Sequence, residues 1–470
     1  MVFSSPAFLF LFLPAFFALY CLLPRALRNG FVLLASIGFY VLGAGALTVV
    51  ALAMLLANWG LAFILGNWRT TAPARARVLL GLAIAANLLP LVFYKYLGFL
   101  AQVTGDLLHL DLAGTVARLG IVLPLGISFY VFHFLSYLLD VHAGRIVPER
   151  RLHKFAIYIF LFPHLIAGPV VRYAEVREQL ELRHRKLLQS DMFWGVVIFV
   201  LGLAKKVLVA DPLGAVSDQL HAPGVPLTTY AAWLGAICYS FQIYFDFSGY
   251  TDMAIGMARM MGFRFPRNFN RPYAADSITE FWQRWHMTLS RFFRDYLYIP
   301  LGGNRGSALR TYRNLVVVFV LCALWHGAAY TFLAWGIGHG LLLVAERAGW
   351  LKMSSWRLGS LPLFLVATLL WVPFRASSMD EANRFWRAMA GLGEAPLWQQ
   401  ANAALTEPKV LFLLLVAGAM CLLGDNAFDR LRWRVLRRPL WLGSASAGLY
   451  VLACLSVVER GFNPFIYFQF

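Results

Sequence analysis

The chain has 470 residues, 60% of them hydrophobic and only 14% charged, and its 41 lysines and arginines against 23 acids give a formal net charge of +18. A water-soluble protein of this length carries about a quarter of its residues charged, so a purely soluble globular fold is excluded and hydrocarbon is one of its solvents. The basic residues sit in short loops between apolar runs, as the cytoplasmic loops of a membrane protein do, which argues against nucleic acid as a partner.

Apolar segments at 7–23, 31–47, 49–66, 78–100, 119–139, 191–210, 230–255, 315–345, 361–374, 410–424 and 440–458 match or feed the ~20 residues a helix needs to cross hydrocarbon. They predict an all-α, polytopic integral membrane protein of about ten to twelve transmembrane helices, a single domain over 1–470. The first run is expected to be an uncleaved span, because Arg25 and Arg28 follow it instead of preceding it. Loops 24–30, 69–77, 144–154, 172–186, 259–271 and 430–438 hold most of the base and are expected in the cytoplasm; 101–118 and 211–229 carry acids and little base. Pro163, Gly168 and Pro169 suit segment 155–170 to a re-entrant path that dips in and returns. Lys205 and Lys206 near an outer end, and Arg375, Arg384 and Arg387 in an outer loop, run against the charge rule. Cys21, Cys238, Cys322, Cys421 and Cys454 are scattered through apolar runs without the spacing of a disulfide framework or a zinc site.

Ser277-Ile278-Thr279-Glu280 is a capping-box pattern, and it predicts an amphipathic helix from about residue 278 to Leu297, stopped by Pro300 and Gly302-Gly303. Trp282, Trp285, His286, Leu289, Ser290 and Phe293 fall on one face of it, with Arg284, Arg291 and Arg294 round the rest. One reading is an interfacial helix whose arginines reach lipid headgroups. A second is chemistry, for His326 stands inside an apolar run where an ionisable group is expensive and a functional candidate by default. An uncharged imidazole there is the form a general base needs, although a histidine hydrogen-bonded between helices is the structural alternative. Cys322, one turn earlier, lacks an orienting acid, and His339 lacks an ionisable neighbour. His133, His142, His153 and His164 make no compact ligand set and no HExxH occurs, so no metal is expected. Asp246 and Gln242, polar groups in an apolar span, line a cavity or hold helices together.

Motifs in fixed order run nearly end to end: MVFSS with FLFLFLP, LPLGISFYVFHFLSYLLDV (123–141), FPHLIAGPVVR (162–172), YSFQIYFDFSGYTDMAIG (239–256), NFNRPYAADSITEFWQRWHMTLSRFFRDYLYIPLGGNRG (268–306), LWHGAAYTFLAWG (324–336) and NPFIYFQF. Through them the chain resembles the membrane-bound O-acyltransferases, in particular the bacterial polysaccharide branch that includes the alginate O-acetylation membrane subunit. The resemblance implies an active-site region at about 268–345 around a central funnel, with His326 as the histidine the family requires and His286 in the partner position. It also implies that an acyl donor enters that funnel from the cytoplasm and that the acceptor is reached from the other face.

On this reading His326 takes the proton of an acceptor hydroxyl while His286 orients the thioester or donates to the oxyanion. Trp282, Arg284, Trp285, Ser290, Arg294, Trp325, Asp246 and Gln242 are the candidate donor- and substrate-binding residues. Arginines 284, 291 and 294 suit donor phosphates, unless Asp295 pairs one of them. No bound cofactor is implied; acetyl-CoA or another acetyl thioester is the donor substrate. The implied partners are a periplasmic acetyl-accepting or transferring protein, the exported polysaccharide and membrane lipid, at a bacterial inner membrane. GAGA at 43–46 departs from the bulky residues of the alginate members and leaves the glycan open, cellulose included. D-alanyl transfer toward teichoic acid is the alternative within the family, and a transporter or export scaffold with structural histidines is the alternative outside it.

Overall fold

A computed structural model of the chain describes residues 3–353, 359–393, 407–423, 430, 439–461 and 463–466, and all of the regular structure in them is helical. The basic loop at 431–438 and the last four residues of NPFIYFQF lie outside the described residues. The chain forms two compact units, one of residues 1–196 with 254–266 and the other of 197–253 with 267–470.

The first unit contains α1 (Leu13–Leu22), α2 (Arg25–Ala44), α3 (Thr48–Thr71), α4 (Pro73–Leu91), α5 (Leu97–Leu108), α6 (Leu112–Ala117), α7 (Ile127–His142), α8 (Leu152–Phe160), α9 (Phe162–Leu165) and α10 (Tyr173–Val176). GAGA at 43–46 is the break between α2 and α3, where Gly45 takes φ +55°, a backbone region that only glycine enters freely. Within apolar segments, α3 and α4 are joined by Asn58 and Asn87, whose amides donate to each other at 2.8 and 2.7 Å. The expected span at 119–139 is helical only from Ile127, because Pro124 and Gly126, at φ +72°, hold residues before it in turns. Segment 155–170, expected to re-enter, contains α8 and α9, nine and four residues long. At ~1.5 Å per residue neither is long enough to cross hydrocarbon ~30 Å thick, and both are buried.

The second unit begins within α11 (Gln189–Ala204) and continues with α12 (Asp211–Leu220), α13 (Thr229–Met260), α14 (Ile278–Arg284), α15 (Met287–Phe293), α16 (Ala308–His326), α17 (Tyr330–Arg347), α18 (Leu361–Arg375), α19 (Met379–Met389), α20 (Pro408–Leu422) and α21 (Pro439–Arg460). The lysines that contradicted the charge rule are paired: Lys205 Nζ stands 2.6 Å from Asp252, and Lys206 Nζ 2.5 Å from Asp211 and 2.9 Å from Asp246. Arg375 pairs with Asp218 at 2.7 Å.

Helices α11 and α13 touch through backbone at Gly202 and Gly249. A Cβ on Gly249 would stand 2.6 Å from the Gly202 carbonyl oxygen, and one on Gly202 would stand 2.5 Å from that of Gly249. Backbone oxygen cannot step aside as a side chain can, so Gly249→Val should destabilise by about 1–3 kcal/mol. A thermal midpoint in detergent, read by size-exclusion fluorescence, should fall accordingly, and an unchanged midpoint would show that the helices separate freely.

Five segments, Arg25–Thr71, Pro73–Leu108, Gln189–Leu220, Ala308–His326 and Pro439–Glu459, are long and apolar enough to cross a membrane, and Ala7–Leu22, Leu361–Arg375 and Pro408–Leu422 are shorter apolar helices. The protein is a multi-pass membrane protein. Two expectations about its helices are corrected. The run at 315–345 is not one span but the hairpin of α16 and α17, reversed at Gly327-Ala328-Ala329. Gly336 lies against Phe319 and Ala323, and Gly340 against Val316, so small residues let the two helices approach in antiparallel order. The helix expected over 278–297 is broken at Trp285 and His286 and resumes as α15.

Candidate active site

Helix α14 is fixed at its start by two acids. Ser277 Oγ accepts the Glu280 N–H at 3.1 Å while the Glu280 carboxylate accepts the Asp276 N–H, so the predicted capping pattern forms, with the return bond one residue early. Glu346 of α17 accepts the Ile278 N–H at 2.7 Å, placing a carboxylate at the positive end of the helix.

Seven residues later α14 ends, and His286 takes φ +40° and ψ +53°, a left-handed conformation that costs an ordinary residue about 1–2 kcal/mol. Segment 268–270 over-determines it. The Asn270 N–H donates to Arg284 O at 2.9 Å and the Met287 N–H to Asn268 O at 2.8 Å, replacing helix bonds across the break. Asn268 Oδ1 accepts from the Thr288 N–H at 3.2 Å and the Thr288 hydroxyl at 2.9 Å, so the oxygen is the atom facing this side. His286 Nδ1 stands 3.1 Å from that oxygen and must therefore donate to it. Nε2 has no hydrogen-bond partner among the described residues, and in the neutral ring it presents a lone pair. The ring is fully buried, edge-on to Phe247 with 4.7 Å between centroids.

His326 is the last residue of α16 and is 3% exposed. Trp325, Trp335 and Phe374 surround its ring, with centroids at 4.8, 5.1 and 5.3 Å. Gly327 follows, and a side chain there would run into the Phe332 ring, so glycine is what lets the hairpin turn directly after the imidazole. Trp325 also lies 6.0 Å from the His286 ring. One indole thus stands against both histidines, which come from different elements.

An apolar groove of about 240 Å³ is walled by Trp282, Leu289, Phe293, Phe319 and Cys322, with Ser290, Arg294 and Tyr298 also lining it; neither histidine lines it. Cys322 is one helical turn before His326 on α16, so the groove reaches the level just below that imidazole. Of the sequence candidates, the groove gathers Trp282, Ser290 and Arg294, while Trp325 joins the histidines. Arg294 is paired with Asp295 at 2.7 Å, as the alternative reading had it.

The remaining candidates are placed elsewhere. Arg284 binds Glu280 at 2.5 Å and does not line the groove. Trp285 is fully buried in packing against Phe281, Phe269 and Trp371. Asp246 pairs with Lys206 and accepts the Ile466 N–H at 2.8 Å, which makes it a tie between segments instead of a groove residue. Gln242, one turn earlier, packs its amide on Gly214 of α12. Asn268, which sets the tautomer of His286, was not among the sequence candidates. Its only sequence signal is its place at the head of the NFNRP stretch. Among the described residues no three His, Cys, Asp or Glu side chains are grouped to hold a metal.

The family model described as MBOAT, membrane-bound O-acyltransferase family, matches residues 150–354, which include both histidines and the groove. Over its whole length, and over the whole of that relative, the chain is 39% identical to "Probable alginate O-acetylase AlgI" of Pseudomonas putida. The chain belongs to the membrane-bound O-acyltransferase family. It is also 34% identical to the "Peptidoglycan O-acetyltransferase" of Helicobacter pylori, over 86% of this chain and 82% of that one. With the "Teichoic acid D-alanyltransferase" of Bacillus subtilis it shares 27% identity over 49% of this chain and 63% of that one. As a membrane-bound O-acyltransferase of the alginate O-acetylase type, the protein is an enzyme that uses an acyl donor, and its hairpin and broken helix lie inside the matched region.

Proposed function

We propose that this membrane-bound O-acyltransferase takes acetyl from a cytoplasmic thioester, acetyl-CoA or a carrier-held equivalent, and passes it across the bacterial inner membrane for O-acetylation of an exported polysaccharide, alginate or a similar glycan. The immediate acceptor is a hydroxyl of a periplasmic partner protein that completes transfer to the sugar. The observation that carries this reading is the indole of Trp325 standing against both imidazoles. The two acetylating relatives, one matched over its whole length and the other over 86% of this chain, favour acetyl and polysaccharide over D-alanyl transfer, whose relative covers about half of the chain.

In the step itself, His326 accepts the proton of the acceptor hydroxyl as its oxygen bonds the carbonyl carbon. The C–S bond then breaks, and the thiolate leaves with the proton held by His326. Of the two parts open to His286, orienting the thioester and donating to the oxyanion, its hydrogen bonding favours the first. With its Nδ1 proton engaged by Asn268, the neutral ring has nothing on Nε2 to donate to an oxyanion. It is a hydrogen-bond acceptor, and it orients the donor or acceptor group that reaches it. The groove takes the thioester arm, with Trp282 and Ser290 along it.

Radiolabelled acetyl-CoA supplied to the cytoplasmic face of inverted membrane vesicles tests the proposal. Base-labile label should appear on lumenal protein or glycan only in vesicles that contain this chain. Label confined to the donor side, or equal label in vesicles lacking the chain, would overturn it.

A further inference from the structure

Two buried hydrogen-bond donors on α17 have no partner among the described residues: Nε1 of Trp335 and Nε2 of His339. Both side chains are 0% exposed. The proton on His339 is located by its other nitrogen, because Nδ1 accepts the indole N–H of Trp282 at 3.3 Å. An Nδ1 that accepts carries no proton, so the ring is neutral and Nε2 is the donor. Residues 335 and 339 are one turn apart on one helix face, and their rings lie 5.3 Å apart. Trp335 is at the same time edge-on to His326, at 5.1 Å. Buried donors left without acceptors are rare and destabilising. Two of them lie side by side, next to the candidate base, where an acceptor atom from outside the chain would satisfy both.

We propose that the Trp335 and His339 N–H groups are the oxyanion hole of the transferase, receiving the carbonyl oxygen of the acyl thioester. This rests on His326 being the base. As the acceptor oxygen bonds the carbonyl carbon and its proton passes to His326, the carbonyl π pair moves onto oxygen, where the two N–H groups meet it. The pair returns when the C–S bond breaks and the thiolate takes the proton from His326. Fixed donors in a site without water stabilise that charge without reorganising. Trp282 is then a positioning residue. It lines the groove and, by donating to Nδ1, holds the His339 proton on Nε2.

Trp335→Phe removes the N–H together with the five-membered ring of a fully buried indole, so a thermal midpoint is read beside its rate. Its kcat should fall about 10²–10³-fold, the usual loss for one oxyanion donor, with the KM for acetyl-CoA and the shape of the pH profile unchanged. His339→Gln, which returns an N–H near Nε2, should keep most of the rate, whereas His339→Phe should not. A second measurement does not depend on turnover. The thioester carbonyl stretch of acetyl-CoA bound to His326→Ala protein should shift to lower frequency, and adding Trp335→Phe should abolish much of that shift. A Trp335→Phe rate within twofold of wild type, or an unshifted carbonyl band in His326→Ala, overturns the proposal. If His326→Ala retains full transfer, the base assignment fails instead, and the carbonyl shift still reports on the two donors.

Discussion

Alanine at residue 326 should slow acetyl transfer by about 10²–10⁴-fold, the range that a positioned general base contributes, while the protein stays folded and keeps its donor affinity. The imidazole ends α16 and is surrounded by aromatic rings, so truncation removes the proton acceptor and leaves a small cavity at the hairpin tip. The hairpin is held elsewhere, by Gly336 and Gly340 against Phe319 and Val316. The groove stops at Cys322, one turn away, so a thioester arm lying in it loses no wall. Loss should therefore fall on kcat and spare KM, the pattern of an interaction made in the transition state. His286→Ala offers the contrast. It removes an acceptor that orients a substrate group, and kcat and KM should change together. Single-turnover transfer from radiolabelled acetyl-CoA, with thermal midpoints as the folding control, separates the two. Transfer by His326→Ala within twofold of wild type would return the protein to the export-scaffold reading, in which its histidines only brace helices.

Solvent and helical class are legible in the sequence because hydropathy needs no tertiary information. Breaks are not legible in the same way. The apolar run through 315–345 continues across Gly327, and only the packing of α17 on α16 shows that the chain reverses there and leaves His326 at a helix end. At Trp285 and His286 the three- and four-residue spacing of aromatics runs straight through the break, since the cause is Asn268, a residue about twenty positions earlier that supplies the missing hydrogen bonds. The spacing still identifies Trp282 and Ser290, because residues on both sides of the break face the same groove. His339 looks isolated in sequence for want of an ionisable neighbour, yet its partner is an indole N–H from α14. Polar groups in hydrocarbon are legible as exceptional, but what they do depends on which distant residue meets them.

Asp246 shows how large that dependence is, and Asp246→Asn should destabilise the protein by up to about 3–5 kcal/mol, the cost of leaving one member of a buried ion pair without the other. Side-chain exposures of 5% for Lys206 and 2% for Asp246 leave no water to take up the lysine charge. Asp211, 2.5 Å from the same Nζ and 20% exposed, covers part of the loss. Lys206→Met combined with Asp246→Asn should recover about 1–3 kcal/mol relative to the single variant, because the two sites are in contact and their effects do not add. Asparagine still accepts the Ile466 N–H, so the single variant isolates charge from tether. Asp246→Ala removes both. Its additional effect should be release of segment 463–466, whose Phe465 stacks on Tyr250 at 4.5 Å and lies 5.4 Å from Phe247, the ring that borders His286. Limited proteolysis near residue 460 should therefore be faster in Asp246→Ala than in Asp246→Asn, and acetyl transfer slower, with denaturant titration in detergent measuring the stability of each. Equal stability of wild type and Asp246→Asn would mean that the carboxylate is not the counter-ion of Lys206 and would reopen its place among the substrate-binding residues.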